Sequence, residues 1–326
     1  MSEALFDVTL ATIDGEGIHA VTDGMLENVS KKKISPSLIT GLEQCPASWM
    51  AKTFILPEFL ETDMIPAVRG SAFHYIMEHF YQLPKNERTM EKMREIIVAT
   101  VKHEDYRQFF TENPEQKKWL TQAVTAQLRL EPNPETIEIA EIVLNGKSRQ
   151  GLEVFIQGEL GKTATRSLLG FVDRLRVDPN NPDCFIVEDY KTGKTAKTYR
   201  YGNKGTQGKP EARQQVIYTM LLENQGINVS GASLIYPMAK TVVEVDIEDD
   251  RLRKQVEREV DETDANLTKM CEGNDFEFSP SFLCSWCPLA KVCPKAQINR
   301  RSKKMMDAYN SQPDPVELSK GIQVNF

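Results

Sequence analysis

Four cysteines form the metal-binding pattern that is most specific in the sequence. Cys284, Cys287 and Cys293 follow a C-x2-C-x5-C spacing near the C-terminus, and Cys45 precedes Cys284 by about 240 residues. Zinc and an iron–sulfur cluster both accept four thiolates. A zinc ribbon has two C-x2-C pairs in one short module, whereas here one cysteine stands alone and the other spacing is wider. We expect the four sulfur atoms to hold both ends of the chain at one metal centre, which is either zinc or a cluster.

A second constellation contains two acids and a lysine. Asp173 lies in the segment LLGFVDRL, and Asp189 and Lys191 lie in FIVEDYKTG. Side chains alternate across a strand, so Asp189 and Lys191 point to one face and Glu188 points to the other. Two carboxylates and the main-chain carbonyl of Tyr190 suit Mg²⁺ or Mn²⁺, which prefer oxygen ligands. This arrangement predicts metal-dependent hydrolysis of phosphodiesters, in which Lys191 orients or deprotonates the metal-bound water.

Other assignments of these residues stay open. An acid-x-lysine pair also occurs as an ordinary surface ion pair, and a β-bulge would exchange Asp189 for Glu188 as the ligand. His74, beside the apolar stripe of a predicted helix, is either a ligand of the same metal or a polar edge residue. Gln214 and Tyr218 lie one helical turn apart, and they either contact the phosphate or the metal-bound water or belong to a half-buried helix.

Positive charge is concentrated in short segments, although the whole chain has a net charge of −7. Residues 191–213 contain seven lysines and arginines and one acid. Residues 291–304 contain six lysines and arginines and no acid. Because local charge sets the field that a phosphate backbone meets, we expect the first segment to bind DNA by charge and aromatic stacking. The predicted DNA-binding residues are Lys194, Lys197, Tyr199, Arg200, Tyr201, Lys204, Lys209 and Arg213.

The order of the predicted elements indicates an α/β fold with a mixed sheet. Ser35 as N-cap and Pro36 after it start a helix that reaches Cys45, and a second helix begins near Gly70. Helical periodicity continues in two pieces over residues 89–130, and strand patterns follow over 136–191. A helix at 211–225, two strands and a long polar helix at about 249–272 complete the pattern.

These elements predict one domain over residues 34–297. Residues 1–33 are expected to form an N-terminal arm or a short hairpin, and residues 298–326 a loose polar tail. The helical piece near 85–135 is interpreted as an insertion into the domain. The arm is acidic, with six acids and no lysine or arginine in residues 1–30.

Composition indicates a protein that buries a core and does not cross a membrane. Hydrophobic residues make up 40% of the chain and charged residues 27%. No apolar run approaches the roughly 20 residues of a membrane span, and no signal peptide is recognisable. The expected location is the cytoplasm, where structural disulfides are rare. Cys184 and Cys271 are therefore expected to be buried packing residues.

Several segments occur in the same order in a known family. They are SPSLITGLEQCP, RGSAFHYIMEHFY, LLGFVDRL, VEDYKTGK, ARQQVIYTMLL and CSWCPLAKVCP. Over roughly residues 34–297 the chain resembles RecB-like nucleases of the PD-(D/E)XK superfamily. It resembles most the iron–sulfur branch, which includes the CRISPR-associated RecB-type exonuclease, the AddB nuclease domain and phage relatives. The resemblance implies a restriction-endonuclease-like core with a mixed central sheet, a helical insertion and a C-terminal iron–sulfur clasp, in a bacterial or phage-infected cell.

The resemblance also implies a role for each matching residue. His74, in a G-x-x-x-H context, corresponds to the helical metal ligand, and Asp173 corresponds to the first acid of the motif. Asp189 and Lys191 correspond to the (D/E)-x-K pair. The Q-x-x-x-Y motif that supports the site corresponds to Gln214 and Tyr218. The implied ligands of a [4Fe–4S] cluster, which the resemblance favours over zinc, are Cys45, Cys284, Cys287 and Cys293.

The function implied by the resemblance is a Mg²⁺- or Mn²⁺-dependent DNA exonuclease. It would act on single strands or DNA ends in recombination, repair or phage DNA metabolism, beside a helicase, recombinase or integrase partner. The sequence has no G-x-x-x-x-G-K-[ST] motif, so any unwinding would come from elsewhere. Two alternatives remain, a CRISPR spacer-processing subunit and a non-catalytic DNA-binding or assembly protein. The insertion and the basic loop at 193–212 depart from the shortest family members and leave strand polarity and partners open.

Overall fold

The order of helices and strands along the chain largely follows the sequence patterns. The structure is a computed structural model that describes residues 11–55, 65–199, 208–311 and 323–324. The helices are α1 (Asp23–Ser30), α2 (Pro36–Gln44), α3 (Pro46–Met50), α4 (Ile65–Gln82), α5 (Met90–Lys102), α6 (Glu104–Glu112), α7 (Glu115–Leu130), α8 (Lys209–Glu223), α9 (Asp250–Gly273) and α10 (Lys303–Asn310). The strands are β1 (Ala11–Ile13), β2 (Gly17–Ala20), β3 (Glu141–Leu144), β4 (Lys147–Gln150), β5 (Leu152–Gly158), β6 (Leu168–Asp178), β7 (Asn181–Tyr190), β8 (Val229–Tyr236), β9 (Thr241–Val245), β10 (Phe276–Glu277) and β11 (Gln323–Val324).

A mixed five-stranded sheet is the largest sheet among the described residues. Its order is β5-β6-β7-β8-β9, and only the β7–β8 pair is parallel. A parallel pair needs a crossover connection, and α8 lies in the segment that joins β7 to β8. The β6–β7 hairpin aligns Arg174 with Glu188, so Asp173 and Asp189 lie near each other on adjacent strands. The mixed sheet that the sequence predicts is thereby confirmed.

The residues group into two units, each with its own core. The first unit comprises Met1–Met64, Thr163–Arg166 and Glu259–Phe326, and the second comprises Ile65–Lys162 and Ser167–Arg258. The second unit contains the five-stranded sheet. The sequence predicts one domain over 34–297, and the structure divides this range between the two units.

In the second unit, apolar stripes of α4 and α7 form the helical core. Phe73, Ile76 and Phe80 of α4 pack in one cluster with Trp119 and Leu120 of α7. The helical segment before the sheet contains three helices instead of the two expected. His103 has extended backbone, ends α5 and accepts the Asp105 main-chain N–H with its ring nitrogen, which starts α6.

In the first unit, the N-terminal segment and the region of the cysteine trio share a core. Strands β1 and β2 form the short hairpin that was one of the two expectations, and β10 pairs with β2. Ile13, Ile18, Trp49 and Phe276 are buried in the same cluster. Helix α1 was not predicted. The tail expected to be loose contains α10, and its β11 pairs with β1 in parallel.

The start of α2 follows the predicted capping. Ser35 Oγ accepts the Leu38 main-chain N–H at 3.1 Å, and Pro36 occupies the first helical position. The helix ends at Cys45, whose backbone is extended and whose sulfur accepts the Ser48 main-chain N–H at 3.4 Å. Cys45 therefore stands at a sharp junction between α2 and α3.

Candidate active site

The β6–β7 hairpin brings the two predicted acids and the lysine together. Asp173 lies on β6, Asp189 lies near the end of β7, and Lys191 directly follows that strand. Lys191 Nζ lies 2.7 Å from Asp189 Oδ2. Asp173 Oδ2 accepts the main-chain N–H of Tyr190 at 2.7 Å. Both carboxylates are buried, so the predicted set is not a surface ion pair.

Helix α8 supplies the two residues of the Q-x-x-x-Y motif. Gln214 donates its side-chain N–H to Asp189 Oδ1 at 2.8 Å, and its oxygen accepts from Lys191 Nζ at 3.0 Å. The same amide donates to the Tyr218 hydroxyl at 3.2 Å. Because one amide satisfies both charged groups, Gln214 holds Asp189 and Lys191 in a fixed relative position.

His74 on α4 faces the same acids. Its Nε2 lies 3.1 Å from the main-chain oxygen of Tyr190, and its Nδ1 lies 3.3 Å from Asp173 Oδ2 and 3.9 Å from Glu153 Oε1. Possible ligand atoms of His74, Glu153 and Asp173 all lie within 4.8 Å of one another. Two carboxylates and an imidazole at this spacing fit one divalent cation.

Glu153 is a candidate ligand that the sequence analysis missed. It lies on β5, opposite Asp173 on β6, because its neighbours Leu152 and Val154 pair with Arg174 and Val172. Its φ is +45°, in the left-handed region that non-glycine residues rarely adopt. Such strain is typical of functional sites. The only signal in the sequence was an acid inside a strand pattern, which is too common to single out.

Asp189, expected to be a metal ligand, is not in the compact set with Glu153. Its two oxygens contact Gln214 and Lys191. The structure thus places His74 and Asp173 in the compact set, and Asp189 next to Lys191. Any direct contact of Asp189 with the metal would compete with its ion pair to Lys191.

Burial and close contacts between charged groups set the electrostatics of the site. Burial and then the charge of Asp173 raise the pKa of Asp189 to about 6, although Lys191 opposes this rise. Burial would also raise the pKa of Asp173, but the charge and hydrogen bond of His74 lower it below its usual value. Burial opposes protonation of His74, yet Asp173 and Glu153 raise its pKa well above the usual value. A divalent cation would relieve the repulsion between the carboxylates.

Glu188, the competing ligand, points away from the site. Its carboxylate accepts from Arg174 Nε at 2.7 Å and from Arg176 Nε at 2.8 Å. The Arg174 guanidinium also binds Glu131 and lies 4.6 Å from the centre of the Tyr81 ring. Glu188 and Asp189 therefore point to opposite faces of β7, as strand alternation predicts.

The predicted DNA-binding residues have different placements. Lys194 is exposed, whereas Lys197 forms an ion pair with Glu211 at 2.6 Å and the Tyr199 hydroxyl contacts Gln255 at 3.3 Å. Arg213 is only 1% exposed inside α8, so its guanidinium does not face a DNA backbone and its predicted role is corrected. Lys209 begins α8. Outside the described residues lie Arg200, Tyr201 and Lys204.

The four cysteines of the predicted clasp line one cavity in the first unit. The cavity has a volume of about 160 Å³, and its other lining includes Leu283, Trp286, Leu289 and Ala290. The Cys45 sulfur accepts the Ser279 main-chain N–H at 3.4 Å, and the Cys287 thiol contacts the Ser48 hydroxyl at 3.3 Å. Among the described residues, no three cysteine sulfur atoms all lie within 4.8 Å of one another.

Burial affects the chemistry of these thiols. It raises the pKa of Cys293 to about 11 and also raises the pKa of Cys287, where the Ser48 hydrogen bond partly opposes the rise. A metal centre would stabilise the thiolates that this environment otherwise disfavours. Cys184 and Cys271 are partly buried and do not line the cavity.

A family model identifies the superfamily of the chain. Residues 33–294 match the model of the PD-(D/E)XK nuclease superfamily, and the chain belongs to that superfamily. A crystal structure from Eubacterium rectale, named a "putative exonuclease", has a TM-score of 0.46 at 11% identity and covers 88% of this chain and 96% of that one. A crystal structure of SSO0001 has a TM-score of 0.33 at 14% identity, with coverage of 85% and 98%.

The search of curated proteins gave no match. Among the described residues, no helix has the length and apolar character that crossing a membrane requires.

Proposed function

We propose that the chain is a Mg²⁺- or Mn²⁺-dependent DNA exonuclease that acts on single strands or DNA ends. Membership of the superfamily supports phosphodiester hydrolysis. The observation that carries the proposal is the contact set of Gln214, which joins the buried Asp189 to Lys191 beside the ligand set at His74. A chance surface ion pair would lack both the burial and this shared hydrogen-bond partner.

The residues of the site divide the catalytic work. His74, Glu153 and Asp173 would hold the divalent cation, which when bound lowers the pKa of a water molecule and neutralises phosphate charge. Burial opposes the charge of Lys191, but Asp189 raises its pKa above the usual value. The ammonium group therefore stays protonated and stabilises negative charge on the phosphate, rather than acting as a base. Gln214 keeps that ammonium group in place.

We infer that the cysteine cavity holds a structural [4Fe–4S] cluster. A tetrahedral zinc site with Zn–S bonds of about 2.3 Å needs sulfur atoms roughly 3.8 Å apart. The four cysteines line one cavity. Among the described residues, no three of their sulfur atoms all lie within 4.8 Å of one another. A larger centre with thiolate ligands, such as an iron–sulfur cluster, would bridge sulfur atoms at wider spacing. On this basis we propose that the chain belongs to the iron–sulfur branch of RecB-like nucleases.

The activity is tested with end-labelled single- and double-stranded DNA and RNA, using protein purified without oxygen. Cleavage should require Mg²⁺ or Mn²⁺ and stop with a chelator. Lys191→Ala should reduce turnover about 100-fold or more while DNA binding persists. Lys147→Ala, at an exposed lysine on β4, removes the same charge elsewhere and should cleave like the parent. Near-normal turnover of Lys191→Ala would refute the assignment, and DNA binding without any cleavage would favour the non-catalytic alternative.

A further inference from the structure

Two exposed phenylalanines lie beside the candidate metal site and have no part in the chemistry above. Phe155 on β5 and Phe171 on β6 are directly opposite each other in the antiparallel pair, with ring centroids 5.3 Å apart. They are 40% and 51% exposed. Exposed apolar groups that cluster, rather than occur singly, often mark binding sites.

The position of the pair connects it to the ligand set. Phe171 precedes Asp173 by two residues, and Phe155 follows Glu153 by two residues. Because side chains alternate along a strand, Phe171 lies on the same face of β6 as Asp173. Phe171 also lines one open groove with His74 and Glu153. A strand cleaved at the metal would therefore pass next to this ring.

The rest of the groove favours an uncharged ring over a phosphate. It has a volume of about 620 Å³, and Tyr75 and Tyr106 add aromatic side chains to its lining. The charged side chains that line it are Glu78 and Glu153 beside His74, and the described lining includes no lysine or arginine. Carboxylates repel a phosphate, whereas an aromatic face stacks on any nucleobase.

We propose that Phe171, with Phe155 next to it, is a stacking platform for an unpaired nucleobase adjacent to the cleaved phosphodiester. A base inside a duplex is stacked on its neighbours, so only a single strand or a frayed end can offer its face. The identity of the ligand rests on the proposed nuclease function. The platform adds to that function the side chain that selects unpaired nucleotides.

The first test measures binding of a labelled single strand by fluorescence anisotropy in the Lys191→Ala background. Phe171→Ala and Phe171→Leu should each weaken binding about 5- to 100-fold, the loss expected for one base–aromatic stack. Phe171→Trp should bind like the parent because it keeps an aromatic face. Phe171→Leu keeps apolar volume, so its loss of binding cannot be ascribed to collapse of the sheet. Val143→Ala, at a valine 63% exposed on β3, is the matched control and should bind normally.

The second test identifies the stacked base. One abasic nucleotide is placed at successive positions from each end of the strand. At one position, the abasic nucleotide should weaken binding by the parent protein. At the same position it should not weaken binding by Phe171→Leu any further, because the stack is already lost. Normal binding by Phe171→Leu, or equal effects of the abasic nucleotide on both proteins, would overturn the platform.

The two proposals fail in different ways. If the wild type binds single strands with this dependence on Phe171 but cleaves no nucleic acid, the platform stands and the nuclease function falls. If it cleaves DNA but Phe171 makes no difference, only the platform falls. If it binds no single strand, the platform is refuted whatever the cleavage assay gives.

Discussion

The phenol ring of Tyr218 packs against the backbone of Gly170 and leaves no room for a Cβ atom between them. A Cβ on residue 170 would lie 2.2 Å from Cε1 of Tyr218 and 3.0 Å from its hydroxyl oxygen. That hydroxyl accepts a hydrogen bond from Gln214, which in turn binds Asp189. The absence of a side chain on β6 thus sets how closely α8 approaches the site.

We predict that Gly170→Ala lowers turnover about tenfold or more without loss of the fold. The new methyl group displaces the Tyr218 ring, and misplacement by about 1 Å is enough to reduce catalysis strongly. The matched control is Gly158→Ala on β5, whose Cβ would meet only the flexible end of Leu221, at 3.1 Å. Turnover and melting temperature are measured for both variants. Equal turnover of the two would show that the position of Tyr218 does not matter.

Much of this site could be predicted because its signals are local. Alternation along β7 separates Asp189 from Glu188, and the four-residue spacing of Gln214 and Tyr218 places both on one side of α8. The structure agrees with both expectations. Glu153 could not be found in this way, because its proximity to His74 depends on an unusual φ and on packing between distant segments.

The first unit was harder to predict because it also depends on contacts between segments that are distant in the sequence. Its sheet pairs Ile18 with Phe276 and Thr12 with Gln323, across most of the length of the chain. Strands of two to four residues carry little periodicity, so their stability comes from these distant partners rather than from local preference.

The burial of Arg213 in the second unit could not be predicted either, since a basic residue in a basic segment suggests solvent exposure.

Glu188→Gln should damage stability rather than catalysis. The substitution removes a buried charge between Arg174 and Arg176, and breaking a buried ion pair costs about 3 kcal/mol. Chemical denaturation gives the free energy of unfolding. Glu27→Gln, which breaks an exposed helical pair with Lys31, is the control and should leave stability nearly unchanged. A stable Glu188→Gln protein without activity would mean that Glu188, not Asp189, serves the site.

Glu153 should combine a contribution to metal binding with a cost in stability. Glu153→Gln should weaken Mn²⁺ binding at least about tenfold, since it removes one charged ligand. Glu153→Gly should weaken it as much but raise the melting temperature, because glycine adopts a φ of +45° without strain. Calorimetric titration and thermal melting measure the two effects. Glu141→Gln, at an exposed acid on β3, is the control. Unchanged Mn²⁺ affinity in both Glu153 variants would exclude this residue as a ligand.

The basic segment should act on DNA affinity more than on turnover. Replacing Lys194, Arg200 and Lys204 by alanine should weaken binding and flatten its salt dependence, by a log–log slope of about 0.7 per lost contact on single strands. Lys197→Ala should have a smaller effect because Lys197 is engaged by Glu211. The control replaces Lys102, Lys147 and Arg149, which removes the same charge at other exposed positions. An unchanged slope in the first variant would show that the segment does not contact DNA.

Cys45 should be necessary for the proposed metal centre and for the first unit, although it is far in sequence from Asp173. Cys45→Ser should lose iron and sulfide, which are measured chemically after purification without oxygen. Cys184→Ser is the matched control, since Cys184 lies on β7 and does not line the cysteine cavity. It should retain both elements. Iron in Cys45→Ser at the parental level would refute the ligand assignment, and zinc without iron in the parent would replace the cluster with a zinc centre.

A structural role for the proposed centre predicts where Cys45→Ser loses stability. Cys45, Cys287 and Cys293 pack against the buried cluster that contains Trp49 and Phe276. A centre bound by both chain ends restricts a loop of about 240 residues, and its binding free energy adds to that of folding. Hydrogen exchange in Cys45→Ser should therefore accelerate in α2, α3 and β10, while the five-stranded sheet remains protected. Unchanged protection of α2 and α3 in a protein without iron would show that the centre does not stabilise the first unit.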